Sequence, residues 1–380
     1  MWLSRRLKVA VLFGGQSGEH EVSLQSARSV IESMDPDRFE VIPVAITHDG
    51  EWKGASESLA LLLEAADRDN IRRLTNDEQL AAVDQFASHS ALDVVGKSRA
   101  LPVIAMQDID VIFPVLHGTY GEDGTIQGLL EIVGKPYVGA GVLASAVGMD
   151  KVVMKQVFSQ AGLPQGQFTS VLRHQWEKDP ESVLTRIERD FSYPCFVKPA
   201  NLGSSVGISK AKDKRSLREA IDLACRYDRK LIIEEFIPCR EIEVAVLGND
   251  EPQASLPGEI VSSNEFYDYR AKYIDGKSEM IIPADLPADV VDQVREWAVQ
   301  SFLAIDGAGL ARVDFFVRTD TGEVLLNEIN TMPGFTPYSM YPKLWEHSGV
   351  SYSQLVERLI ELAFARYQEK QKNETKFDLS

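Results

Sequence analysis

Strand-like and helix-like segments alternate through the first 140 residues, and then the rhythm changes. "LKVAVLF" (7–13) is a continuous apolar run suited to a buried strand, after which Ala27, Val30, Ile31 and Met34 recur at helical spacing. "FEVIPVAI" (39–46) and "DIDVIFPVL" (108–116) read as two more strands, and Ile126, Leu129, Leu130 and Val133 mark another helix. This alternation predicts a parallel sheet covered by helices. A helix from Met149 to Ala161 opens a new unit. "YPCFVKP", "VGISKA", "KLIIEEFI" and "EIEVAVLG" then follow in hairpin-like succession, with helix 216–228 among them. After a long polar loop (262–283), helix 288–305 precedes "GLARVDFFV" and "EVLLNEIN", and helix 352–369 closes the pattern. The expected class is α/β, turning to α+β in the C-terminal half.

A chain of 380 residues divides into about two or three domains. The boundaries suggested are 1–141 for an N-terminal α/β unit, 142–230 for a central unit, 231–368 for a C-terminal unit and 369–380 for a polar tail. Residues 51–105 interrupt the first unit with a polar, charge-mixed segment read as a partly helical insertion. A net charge of −17 argues against a nucleic-acid footprint or a polybasic membrane anchor. It leaves room for a basic pocket that takes an anionic ligand. Cys195, Cys225 and Cys239 have no metal-ligand spacing, so a reduced interior is the simple expectation. The apolar run Val9 to Phe13 is too short for a signal segment or a membrane span, and a soluble chain is expected.

Near the end, "GEVLLNEINTMPGFTPYSMYPKLW" (322–345) takes an apolar strand into Glu328 and Asn330. Alternate strand residues share a face, as do Arg312 and Asp314 on the preceding strand. A hairpin through "TDTG" (319–322) would bring Asp314 near Glu328. Two carboxylates and an amide oxygen are a hard-oxygen set suited to Mg²⁺ beside phosphate oxygens. The plainer alternative is a polar strand end whose acids face solvent or pair with Arg312.

Other stretches carry phosphate-handling or ligand-binding residue types. "FVKPANLGSSVGISK" places Lys198 at a strand end before Gly203, Ser204, Ser205 and Gly207. Glycines there let backbone N–H groups approach a polyphosphate; taken alone, a flexible hairpin with a small-residue tip is the favoured explanation, and no Walker A spacing is present. "GMDKVVMKQ" sets Lys151 and Lys155 four apart on a helix, as solvated charges commonly are. Lys272 and Tyr273 in "YRAKYIDGKS" would by default be surface residues. "VLFGGQSGEHEVS" has G-G-x-x-G rather than G-x-G-x-x-G, so a dinucleotide fingerprint is missing. Its Glu19 and Glu21 could simply complement a helix dipole. "PVLHGTYGEDGT" carries His117, Glu122 and Asp123 in a glycine-rich turn. Both of these loops follow strands of a parallel sheet, where open α/β sheets place ligands.

Taken in order, "GGQSGEHEVS", "VLHGTYGEDGT", "GMDK", "FVKPANLGSSVGIS", "IIEEFI…REIEVAV", "FYDYRAKY", "ARVDFF" and "LLNEINTMPGFTPYSMYP" resemble the D-alanine–D-alanine ligase family of the ATP-grasp superfamily. The resemblance covers residues 7 to 365; only 51–105 and the tail lack distinctive motifs. It implies three α/β domains, with ATP between two antiparallel sheets. It implies that Asp314, Glu328 and Asn330 hold two Mg²⁺ (or Mn²⁺) ions, and it admits a monovalent cation as activator. Lys151 and Lys198 would lie along the α- and β-phosphates, and Lys272 would reach the γ-phosphate. Glu234, Glu235 and Ile237 would contact adenine, and Glu241 the ribose. Glu19, Ser204 and Tyr273 would form a trio holding the first D-alanine, with His117 and Glu122 close by. Arg312 and the Gly334 amide would stabilise an oxyanion. Ser339 and Met340 would meet the carboxylate of the second D-alanine.

The activity implied is ATP-dependent joining of two D-alanines through an acyl phosphate and a tetrahedral intermediate, for peptidoglycan precursors, in a bacterial cytoplasm. Loop 262–283 would serve as a lid. Family members are commonly homodimers. Ligases making D-alanine–D-lactate or D-alanine–D-serine share the nucleotide machinery, and "EFYDYRAKY" resembles the dipeptide-forming type. From other classes, a nucleotide-binding module without catalysis is disfavoured by the presence of Lys198, Arg312, Asp314, Glu328 and Asn330. A dinucleotide oxidoreductase is disfavoured by the missing fingerprint.

Overall fold

The structure is a computed structural model, and it describes residues 5–64, 108–203, 206–261 and 279–374. Strands β1 (Leu7–Gly14), β2 (Phe39–Ile46) and β3 (Val111–Pro114) form a parallel sheet in the order β2-β1-β3. β1 is buried on both faces, as its unbroken apolar run requires. Helix α1 (His20–Ser33) turns Ala27, Val30 and Ile31 into this core. Helix α2 (Ala55–Glu64) lies within the 51–105 segment, and residues 65–107 of that segment are outside the described residues.

The glycine that ends β1 answers to close packing. Gly14 has φ +88, and a Cβ there would lie 2.2 Å from the Ile46 carbonyl oxygen. Helix α3 (Thr125–Val133) covers the sheet beyond β3. Helix α4 (Val142–Met149), which the residue pattern did not single out, precedes α5 (Lys151–Gln160), the helix expected from Met149 to Ala161. Asp150 breaks the run: its carboxylate accepts from the amides of Val152 and Val153 and so caps a new helix start.

The second sheet is antiparallel, with β4 (Phe168–Leu172), β5 (Cys195–Pro199), β6 (Ser209–Ala211) and β7 (Lys230–Glu235) in the order β4-β7-β5-β6. Helices α6 (Arg173–Lys178), α7 (Pro180–Asp190) and α8 (Lys214–Ala224) accompany it, and Leu184, Ile187, Leu217 and Ile221 pack its core with Val197 and Ile233. The third sheet is built from β8 (Cys239–Gly248), β9 (Gln253–Ala254), β10 (Gly258–Val261), β11 (Glu279–Ile281), β12 (Gly309–Arg318) and β13 (Val324–Asn330). Its order is β11-β10-β8-β12-β13, with β9 on β8, and its pairings are antiparallel.

Along β12 the faces alternate. Ala311, Val313, Phe315 and Val317 join Val294, Ala298 and Phe302 of helix α9 (Ala288–Ala304) in one core. Arg312 and Asp314 point the other way, into a cleft between the second and third sheets.

Helix α10 (Met340–His347) and helix α11 (Tyr352–Lys370) return to the first sheet. Leu355, Val356, Leu359 and Ile360 of α11 share a core with Val9, Val11 and Phe113. Arg366 donates to the carbonyls of Tyr137 and Gly139, and the Ser353 hydroxyl donates to the Ser33 carbonyl. Among the described residues no helix is long and apolar enough to cross a membrane. The three cysteines are free thiols, and burial pushes Cys195 up to about 11 and Cys239 up to about 12.

Candidate functional site

The cleft of about 650 Å³ is lined by both antiparallel sheets and by the loops after β1 and β3. Its floor is the β12–β13 hairpin, closed by Thr319–Gly322, with Gly322 at φ +74. Asp314 stands opposite Glu328, and Arg312 opposite Asn330. A bulge between Asp314 and Phe315 absorbs one residue, because Phe315 pairs with Leu326. Unbroken alternation from Leu326 would have turned Glu328 and Asn330 into the core. The bulge keeps both on the cleft side and leaves Ile329 buried.

Arg312 grips Asp314 with two bonds, Nε to Oδ1 and Nη2 to Oδ2, each 2.7 Å. It also pairs with Glu243 of β8 at 2.9 Å, and Asn330 Nδ2 donates to Asp314 Oδ2 at 3.0 Å. Burial alone would lower the Arg312 pKa, but Asp314 and then Glu243 hold it well above its ordinary value, so it stays charged. Lys151, at the start of α5, lies 3.8 Å from Glu328 and donates to the Leu202 carbonyl at 2.9 Å. Two carboxylates and an amide from neighbouring strands, with cations beside them, form a hard-oxygen donor set that fits a divalent ion such as Mg²⁺.

Deeper in the cleft, Glu234 sits between Lys155 at 2.9 Å and Lys198 at 2.7 Å. Burial would raise the Glu234 pKa; the two ammonium groups outweigh it and hold the carboxyl well below the usual range. Lys198 is pulled upward by Glu234 and then Glu328, against burial. The spacing of Lys151 and Lys155 reads as solvated charge, yet the Lys155 side chain is 4% exposed. Helical periodicity places it on a face but does not say that β7 will offer that face a carboxylate. Glu235, Ile237 and Glu241 also line the cleft, and Glu235 Oε1 accepts from the Gln167 amide at 2.7 Å.

The loops of the first sheet close the far end. Glu19 occupies the N-cap position of α1 and is buried, whereas Glu21 two residues on is exposed beside His48. Glu122 accepts from the Gly118 amide at 2.8 Å. A Cβ on Gly203 would come within 3.0 Å of Glu19 Oε2 and 4.0 Å of Glu122 Oε1, so both acids flank that turn. Burial, and then the Glu19 charge, push Glu122 up to about 8. For a raised carboxyl the stability contribution is complete below the unfolded value and is lost as pH rises through about 8. Glu122→Gln keeps the bond from Gly118 and removes the titration. Urea unfolding at about pH 6 and about pH 9 is expected to show a smaller loss of stability in the variant; an unchanged difference would refute this protonation state.

His117 is buried, with Nδ1 3.0 Å from the Met332 carbonyl and Nε2 3.2 Å from Ser26 Oγ. Gly334 lines the cleft, and Ser339 Oγ would lie 3.0 Å from a Cβ built on it. Ser339 accepts from the Thr336 amide and stands at the N-cap of α10. Met340 as a whole is 3% exposed and packs in the first core. Ser204, Lys272 and Tyr273 lie outside the described residues, as does most of loop 262–283. Ser17, Ser26 and Glu243 also stand at this site without having been singled out by sequence. Ser23 and Ser26 did leave a trace, as polar residues on the buried face of α1 beside Ala27 and Val30.

Comparison with known proteins covers nearly the whole chain. The family model described as D-ala D-ala ligase N-terminus matches residues 8–140, and the one described as D-ala D-ala ligase C-terminus matches residues 157–361. A D-alanine–D-alanine ligase of Geobacillus thermodenitrificans is 53% identical over 373 residues, spanning 96% of this chain and 98% of that protein. One from Acetivibrio thermocellus is 52% identical over 371 residues, spanning 95% and 96%. Among solved structures, the D-alanine–D-alanine ligase of Coxiella burnetii superposes with a TM-score of 0.78 at 36% identity, covering 97% of each chain. The VanG D-Ala:D-Ser ligase of Enterococcus faecalis gives 0.76 at 35% identity, covering 94% of this chain and all of that one.

Proposed function

Because the chain belongs to the D-alanine–D-alanine ligase family, we infer that it joins two D-alanines into D-alanyl-D-alanine while ATP is cleaved to ADP and phosphate. The fold is ATP-grasp, and the product serves peptidoglycan precursor synthesis. The observation that carries this reading is Asp314 facing Glu328 across one hairpin, with Arg312 gripping Asp314, in a cleft that also holds Lys151 and Lys198. Family membership implies ATP and a divalent metal.

The finer assignments are ours. Asp314, Glu328 and Asn330 would hold two Mg²⁺ or Mn²⁺ ions, which when bound neutralise phosphate charge. Lys151 and Lys198 would bind the α- and β-phosphates, and Lys272 the γ-phosphate. Glu234, Glu235 and Ile237 would meet adenine, and Glu241 the ribose. The first D-alanine would sit among Glu19, Ser204, Tyr273, His117 and Glu122, where two carboxyls suit an ammonium group.

Its carboxylate attacks the γ-phosphorus, ADP leaves, and an acyl phosphate forms. The amine of the second D-alanine then attacks the carbonyl. Arg312 and the Gly334 amide would meet the developing oxyanion, and phosphate departs. Ser339 and the Met340 amide would receive the second carboxylate. The domain limits 1–141, 142–230 and 231–368, a homodimeric state, a cytoplasmic location and activation by a monovalent cation complete the proposal.

The test is phosphate release with ATP, Mg²⁺ and D-alanine, run beside D-alanine plus D-lactate and D-alanine plus D-serine. Release with D-alanine alone, accompanied by dipeptide, is the expected result. ATP turnover only when D-lactate or D-serine is present would overturn the dipeptide assignment, and no turnover at all would favour a silent module.

A further inference from the structure

Gly334 stands between two residues whose backbones are both clamped. On one side the Met332 carbonyl is 3.0 Å from His117 Nδ1; on the other the Phe335 amide donates to Ser26 Oγ at 3.3 Å. Ser26 Oγ is in turn 3.2 Å from His117 Nε2, which closes the circuit. Ser26 is fully buried on α1, His117 is 3% exposed, and Phe335 is fully buried against Phe113, Tyr341 and Tyr352. The Ser17 hydroxyl donates to the His117 backbone carbonyl at 2.6 Å and anchors the main chain that carries the ring.

For a neutral His117 the donors and acceptors in this circuit admit one assignment of protons. A carbonyl oxygen only accepts, so Nδ1 of His117 carries the hydrogen. Phe335 N–H only donates, so Ser26 Oγ accepts from it. The Ser26 hydroxyl hydrogen is then left for His117 Nε2, which accepts as the lone-pair nitrogen of a neutral ring. Burial lowers the His117 pKa against the pull of Glu19, in agreement with that neutral form. Both ring nitrogens are thereby committed, and neither is left to exchange a proton with a bound amino acid.

We propose that Ser26 is a positioning residue for ligation, acting through His117 and Phe335 to hold the 332–335 segment so that the Gly334 amide meets the reacting carbonyl. This rests on the assignment of Gly334 made above. His117 on this account braces a loop and does not bind substrate through its ring nitrogens.

The test uses the full-length protein and two measurements. Ser26→Ala is expected to lower kcat for dipeptide formation by about 10- to 100-fold, the scale of a small misplacement of catalytic groups. The KM for ATP should stay at the wild-type value, while the unfolding midpoint falls modestly because the buried Phe335 amide loses its acceptor. An unchanged kcat overturns the proposal, and so does a loss matched by an equally raised KM for ATP, which would mark a general structural role. The second measurement is ¹⁵N NMR of the six histidines of the wild-type chain, with His117 assigned by substitution. His117 should be neutral with hydrogen on Nδ1 at neutral pH; hydrogen on Nε2, or an imidazolium, overturns the circuit even if Ser26→Ala fails to fold. A wild-type chain without ligase activity would instead remove the reading of the site on which the proposal stands.

Discussion

Arg312→Ala is expected to lower dipeptide formation by about 10²–10³-fold, the usual loss when one preorganised donor to an oxyanion is removed. It should also lower stability, because Arg312 is held between Glu243 and Asp314 in a poorly solvated part of the cleft. Leaving such carboxylates without their cation costs on the order of 3 kcal/mol. Arg312→Lys separates the two effects. A lysine keeps the positive charge near both acids, so the unfolding midpoint should return most of the way. It cannot reproduce the double bond to Asp314 and also meet the substrate, so activity should stay low. Steady-state ADP release and thermal unfolding measured on both variants decide the matter. Wild-type turnover by Arg312→Lys would exclude the guanidinium as the oxyanion donor.

Asp314→Asn should lower turnover by at least about 10²-fold and raise the Mg²⁺ concentration needed for half-maximal rate, because a residue that touches the metal matters more than those merely supporting its ligands. The amide retains nearly the volume of the carboxylate, so the strand pairing to Glu243 and Glu328 should survive. The informative readout is the Mg²⁺ titration rather than the rate alone. A rate loss with unchanged Mg²⁺ dependence would move Asp314 from metal binding to the mere orientation of Arg312, to which it is already bonded twice.

The hairpin under the cleft was legible because two local signals agree. "TDTG" supplies a turn, and the alternation of Arg312 and Asp314 with apolar neighbours supplies a face. The parallel pairing of the first sheet follows from its βαβ pattern, whereas its order β2-β1-β3 does not. Other features depend on partners distant in the chain. Lys155 is solvated or buried according to whether Glu234 stands across from it, and no spacing within α5 carries that information. The bulge at Asn327, just after Leu326, is invisible in the residue pattern, because Asn327 and Glu328 are both polar. Helices α6 and α7 went unread because their short amphipathic stretches lie in a highly charged segment; the capping carboxylate of Asp179 and Pro180 at the first turn were the available signs. His117 looked like a ligand residue because it sits in a glycine-rich turn, and only Ser26 and Met332 reveal how its ring is used.

The return of α11 to the first sheet bears on the order in which the molecule can be made. A ribosome delivers β1, β2 and β3 early, yet the cover over Val9, Val11 and Phe113 includes Leu355, Leu359 and Ile360, synthesised long after them. The nascent amino-terminal portion therefore carries unshielded apolar surface until α11 has been made. A release factor acting one helix too soon would yield a chain with most of its nucleotide cleft in sequence and no finished base to mount it on.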